Sequence, residues 1–198
     1  VNPTPTIGMV GLLENVDKKM TLDFKNAGDE IYLLGSLQND LGSSVYLQDI
    51  IGHTLSPVPY YNAEEELALH RLVKNLIYSG VIESAHDCSE GGVWVALMEK
   101  TFNRSVGFSV KAPERAADGK PLRVDACWFG ESQGRVVVSV SPQNRAAFLQ
   151  LTATGSTPVT FLGVTTQESI ELDGQHWGSV RDWKIQYDSA IGVVMNKG

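Results

Sequence analysis

The chain has 198 residues, of which 42% are hydrophobic and 20% charged, a formal net charge of −7 and only two cysteines. This composition fits a water-soluble globular chain, long enough for one large domain or one and a half smaller ones. It lacks the Lys/Arg cluster of a nucleic-acid surface, and no apolar run approaches the roughly 18 residues of a membrane span.

Cys88 and Cys127 are too few for a disulfide framework and suit a reducing cytoplasm. Val1-Asn2-Pro3-Thr4-Pro5 carries no initiator Met and no basic or apolar leader region, so no signal peptide is expected. The chain reads as part of a longer cytoplasmic protein. The four histidines, His53, His70, His86 and His176, stand far apart, without zinc-ligand spacing.

In chain order, residues 7–13 and 30–34 are short, β-rich apolar runs joined by a polar connection. Residues 35–44 are rich in Gly, Ser and Asn, and Ser56-Pro57-Val58-Pro59 is a stiff break. A boundary is therefore expected near Leu55, dividing the chain into 1–55 and 56–198. Asn62 is a good N-cap with Glu65 three residues on, and Leu69, Leu72, Val73 and Leu76 repeat at helical spacing until Gly80. A strand is expected over 81–85, a helix over 92–100, and strands over 107–110 and 135–140, with a polar loop at 111–120. The β-branched run at 135–140 predicts an inner strand. Pro142 opens a possible helix through Leu149, and 159–164 reads as a strand. Asp173-Gly174 is a hairpin signal between 169–172 and 175–180, and a last helix is expected over 180–191. The sum is an α+β fold, a mixed β-sheet with helices on one face.

Two turns carry candidate chemistry. In Asp87-Cys88-Ser89-Glu90-Gly91-Gly92 an apolar strand breaks into a polar turn and re-emerges as a helix. Asp87 or Ser89 could cap that helix, and Gly91 and Gly92 could let an anion reach the first-turn N–H groups. A capped helix packed on a strand explains the same residues. Cys88 as a nucleophile, or Ser89 with His86 as its base, lacks an orienting third group. The second turn, Gly130-Glu131-Ser132-Gln133-Gly134-Arg135, lies beside the predicted inner strand, at a strand end where sheets hold ligands. Glu131, Ser132 and Gln133 could bind ribose or base groups, and Arg135 a phosphate. A polar turn tied to its own backbone is the alternative.

Four segments occur in order: Pro3-Thr4-Pro5-Thr6-Ile7-Gly8-Met9-Val10-Gly11-Leu12, Phe24-Lys25-Asn26-Ala27-Gly28-Asp29, Ser84-Ala85-His86-Asp87 through Gly92, and Phe129-Gly130-Glu131-Ser132-Gln133. Together they resemble the C-terminal part of the formylglycinamidine ribonucleotide synthetase (PurL) family of purine biosynthesis. The resemblance implies a ligase that uses ATP, magnesium and glutamine-derived ammonia to convert formylglycinamide ribonucleotide through an iminophosphate. It implies a PurM/PurL C-terminal-domain-like fold over 56–198, preceded in 1–55 by the last strands of an incomplete ATP-binding-type domain. The family's catalytic histidine and magnesium carboxylates would lie upstream, so the resemblance assigns no catalytic or metal-binding residue here.

Asp87, Ser89, Glu90, Gly91, Gly92, Glu131, Ser132 and Gln133 remain candidate phosphate or nucleotide contacts, the Glu-Ser-Gln run facing a non-catalytic pseudo-symmetric site. Leu41-Gly42-Ser43-Ser44 departs from the family's Gly-Gly-Ser turn. Implied partners are the upstream PurL domains and, if the protein is of the short PurL type rather than a fused long one, a glutaminase and a small accessory subunit, with self-association through 7–13 and 30–34. Aminoimidazole ribonucleotide synthetase or a hydrogenase-maturation relative, and a non-enzymatic anion-binding module, are the alternatives.

Overall fold

A computed structural model describes residues 7–196. Pro3 to Thr6 of the first family segment lie outside the described residues. The fold is α+β, built on a seven-stranded mixed sheet in the order β2-β4-β1-β5-β3-β6-β7. The strands are β1 (Glu30–Leu34), β2 (Ser84–Asp87), β3 (Gly107–Val110), β4 (Val136–Val140), β5 (Val159–Thr166), β6 (Ser169–Leu172) and β7 (Gln175–Ser179). The helices are α1 (Ala63–Ser79), α2 (Gly92–Thr101), α3 (Val124–Phe129), α4 (Arg145–Thr152) and α5 (Val180–Met195). All pairings are antiparallel except β3 with β6.

The boundary expected near Leu55 does not separate two units. β1, from its N-terminal side, lies between β4 and β5, with Tyr32 opposite both Val138 and Phe161. Its residues Ile31 to Leu34 are all buried. An apolar run of five residues with no polar alternation is the signature of a strand covered on both faces, and it needs neighbours to satisfy its backbone. Residues 30–34 are therefore not an open edge for self-association.

The expected strand at 7–13 is also absent. That segment is irregular, with Ile7, Met9, Val10 and Leu12 at least 84% exposed. Two glycines and no partner strand leave nothing in this domain to order it.

Helices cover both faces rather than one. Ile31, Leu33 and Val137 pack with Val93, Leu97, Phe108 and Trp128, whereas Tyr32, Leu34 and Val138 pack with Leu69, Leu76 and Phe148. The period-2 alternation of the strands sends neighbouring apolar residues to opposite cores, so α2 and α3 seal one face and α1 and α4 the other. The hairpin turn forms as expected at Asp173 and Gly174, both with positive φ. α3 had no signal of its own, since a six-residue helix is too short for a periodicity to show.

Candidate functional site

The turn before α2 is closed by the protein itself. Its N-cap is Gly91 in the left-handed conformation, and no side chain caps the helix. Ser89 instead donates to Asp87 (2.8 Å), and this hydroxyl, with His86 as a weaker contributor, holds the Asp87 carboxyl below its ordinary range. The Gly91 N–H donates to Glu131 Oε1 at 2.9 Å. Glu131 thus sits where an external anion was expected, a carboxylate at a helix N-terminus.

Gly92, with φ of 66°, is needed for a different approach than that of a ligand. A Cβ there would lie 2.5 Å from the Gly130 carbonyl oxygen and 2.8 Å from that of Trp128. The end of α3 therefore occupies the space beside Gly92. Asp87, Ser89 and Glu90 line a cleft with His86 and Glu99.

His86 Nε2 lies 2.7 Å from Glu99 Oε2, and its Nδ1 lies 3.5 Å from Asp87 Oδ1. This ring is held between carboxylates and gives Ser89 no base. Burial pushes the Cys88 thiol up to about 11 and that of Cys127 up to about 12, so both stay protonated near neutrality.

The second turn divides its residues. Arg135 is 2% exposed, and its guanidinium donates to the carbonyls of Ser132 and Gly130. It is a strut for the turn and does not reach a phosphate. Ser132 and Gln133, by contrast, border a cavity of about 260 Å³ between the start of α1, the end of β1 and the loop before β5. Ser132 is 3% exposed, and its Oγ has no hydrogen-bond partner.

Across the cavity stand Tyr60, Asn62, Glu65 and Glu66. Asn62 caps α1 by accepting from the N–H groups of Glu64 and Glu65, and Tyr60 donates to Glu65 at 2.9 Å. No Lys or Arg is among the residues lining it. Sequence reasoning recognised Asn62 and Glu65 as a helix start, but nothing in the order of residues placed them opposite Ser132.

The eight candidates therefore do not converge. Asp87, Ser89, Glu90, Gly91 and Gly92 sit at the start of α2, Ser132 and Gln133 sit at the cavity, and Glu131 ties its turn to the α2 terminus. Among the described residues no three His, Cys, Asp or Glu side chains are grouped to hold a metal ion. No helix there is long and apolar enough to cross a membrane.

A buried site missed by sequence reasoning lies in the last turn of α2. Lys100 is fully buried, and its ammonium donates to Leu22 O and Ser84 Oγ, each at 2.8 Å, and to Val137 O at 3.3 Å. It also stands 5.0 Å from the centre of the Phe24 ring. Burial pulls its pKa down to about 7.

The sequence profile of the family described as AIR synthase related protein, C-terminal domain, matches residues 26–173. Phosphoribosylformylglycinamidine synthase subunit PurL of Anaeromyxobacter sp. is 40% identical over 176 residues, which are 87% of this chain and 23% of that protein. The PurL subunit of Anaeromyxobacter dehalogenans is 35% identical over 205 residues, covering 98% of this chain and 26% of its own length. The chain thus spans about a quarter of the length of the curated relatives it matches. Among solved structures, T. maritima PurL complexed with FGAR superposes with a TM-score of 0.68 at 19% identity, over 85% of this chain and 30% of that one. That likeness supports the fold. On these findings together, the chain belongs to the AIR synthase related protein, C-terminal domain family, and is similar to PurL subunits of phosphoribosylformylglycinamidine synthase.

Proposed function

We propose that this chain works as one portion of a PurL-type ligase, which converts formylglycinamide ribonucleotide, ATP and glutamine-derived ammonia into formylglycinamidine ribonucleotide in purine biosynthesis. The observation that carries this reading is the 40% identity over most of this chain to a PurL subunit of which it spans 23%. The chain's own role is to support the site rather than to carry its reacting groups.

The donor set does not fit ATP here, and among the described residues no three His, Cys, Asp or Glu side chains are grouped to hold magnesium. Glu131 occupies the α2 terminus, and the Ser132 cavity is bordered by the Glu65 and Glu66 carboxylates and by no cation. A triphosphate at either place would meet negative charge. Ser132 and Gln133 keep the role of ligand contacts, for a group presenting hydroxyl, amide or ammonium donors. Gly91, Gly92 and Glu131 serve the fold, whereas Asp87, Ser89 and Glu90 border the cleft beside His86.

The remaining PurL domains are the partners of the exposed 7–13 segment, joined in a short-type PurL by a glutaminase and a small accessory subunit. The assembly's place is the cytoplasm.

Replacing the corresponding segment of a relative's PurL with this chain tests the reading, by growth of a purine auxotroph and by product formation from ammonia, ATP and substrate. We expect the chimera to restore both and the isolated chain to show no turnover. A folded chimera without activity, or an isolated chain turning over at the roughly 1 to 1000 per second of ordinary enzymes, would sink it.

A further inference from the structure

Residues 40–60 leave the domain beside the cavity and return to it. Gln38, just before them, and Tyr60 and Tyr61 at their end all border it. The two limbs are tied to each other. Asp40 accepts from the N–H of Gly42 at 2.7 Å and from that of Tyr60 at 3.3 Å, and the Ser43 N–H donates to Ser56 Oγ at 2.7 Å. Gly42 lies so close to the opposite limb that a Cβ would sit 2.6 Å from the Pro57 carbonyl oxygen. Ends that meet and limbs bound to one another make a compact loop that can move as a unit.

The ties from this loop to the rest of the domain are few. Among the described residues, a single hydrogen bond leads from residues 41–59 to anything outside the loop, Val45 N–H to Glu131 Oε1 at 2.8 Å. Beside it the Tyr46 ring stacks on Phe129 at 4.9 Å and 7°. The outer part makes no core, with Ile50 72%, Leu55 91% and Val58 85% exposed. The same carboxylate oxygen holds Gly91 at the start of α2, so Glu131 joins loop and helix through one atom.

We propose that residues 40–60 are a strap beside the Ser132 and Gln133 cavity, meeting it at Tyr60 and held to the domain by a latch formed of the Glu131 carboxylate and the Tyr46–Phe129 stack. When the latch opens, the loop swings on its two feet and the cavity wall formed by Gln38, Tyr60 and Tyr61 loosens. Beyond Leu41, Gly42 and Ser44, which are buried at its first foot, the exposure of the segment and its single outward hydrogen bond place it among the parts of a protein that open first. The inference rests on this geometry alone and stands apart from the purine reading.

Spin labels on Leu55→Cys in the strap and Leu149→Cys on α4 test it by pulsed dipolar distance measurement, in a background carrying Cys88→Ser and Cys127→Ala. A second pair, Leu67→Cys on α1 with Leu149→Cys, reports the body of the domain. The latched protein should give one narrow strap distance. Glu131→Ala should broaden it and shift it outward, and Tyr46→Ala, which touches neither α2 nor the cavity, should do the same. Glu131→Gln keeps an acceptor oxygen and should stay near the parent. Strap distances unchanged in both Glu131→Ala and Tyr46→Ala would overturn the latch. So would broadening matched by the α1–α4 pair, since that reports general loosening.

Discussion

The two helix starts that face the candidate turns solve the same problem in opposite ways. α1 is capped from within, Asn62 accepting from Glu64 and Glu65, and its end faces an open cavity. α2 has a glycine cap and borrows the carboxylate of Glu131, far along the chain, while the carbonyls of α3 fill the space beside it. A helix terminus must satisfy its free N–H groups from some source. Where that source is local, room remains for a ligand. Where it comes from a distant segment, the same segment closes the site.

Three experiments sharpen or break this contrast. The largest effect is expected for Gly92→Val at the closed terminus. A branched side chain would collide with the Gly130 and Trp128 carbonyls in a positive-φ conformation, and a loss of about 3 kcal/mol or more should follow. Urea unfolding measures it, and a loss below about 1 kcal/mol would mean that α3 does not seal this end.

The far end of the same helix gives a pH-dependent effect. The unfolded chain's lysine keeps its proton to about 10.4, whereas buried Lys100 loses its own near 7. The unfolded state therefore binds more protons between these values, and stability should rise with pH, by at most about 1.4 kcal/mol per unit between about pH 7 and 9. Lys25, also lowered by burial, acts in the same direction, and the raised thiols of Cys88 and Cys127 oppose it above about pH 9. Urea midpoints at three pH values should show the slope in the parent and lose most of it in Lys100→Met. An equal slope in both would place the titration elsewhere.

The smallest effects separate the two caps. Asn62→Ala should cost about 1 kcal/mol, and Ser89→Ala less than about 0.5 kcal/mol, because the Ser89 hydroxyl bonds Asp87 and no helix N–H. Thermal melts of the pair decide it, and the reverse order would restore Ser89 as the cap of α2.

Much of the fold was legible because its signals are local. The α1 cap and apolar period, the Asp173-Gly174 turn and the β-branched run of β4 each act within a few residues, and each element formed within a few residues of its expected bounds. The break near Leu55 was a real loop but a false boundary, since the Gly, Ser and Pro residues that mark a linker also build a strap. Of the candidate site, the polar turns were visible. Which of their groups were already spent on the protein itself was not.

By itself the sequence determined the α+β class, the family to which four ordered segments point, and the local caps and turns, because backbone sterics and hydrophobic periodicity need only near neighbours. Only the tertiary structure decided that β1 belongs to the middle of the sheet and that helices cover both faces. It also decided that Glu131 closes the α2 terminus while Ser132 keeps an unpartnered hydroxyl. Those outcomes depend on which distant groups arrive to satisfy a buried strand, a helix end or a lysine, and hydrogen-bond satisfaction is settled by proximity in space.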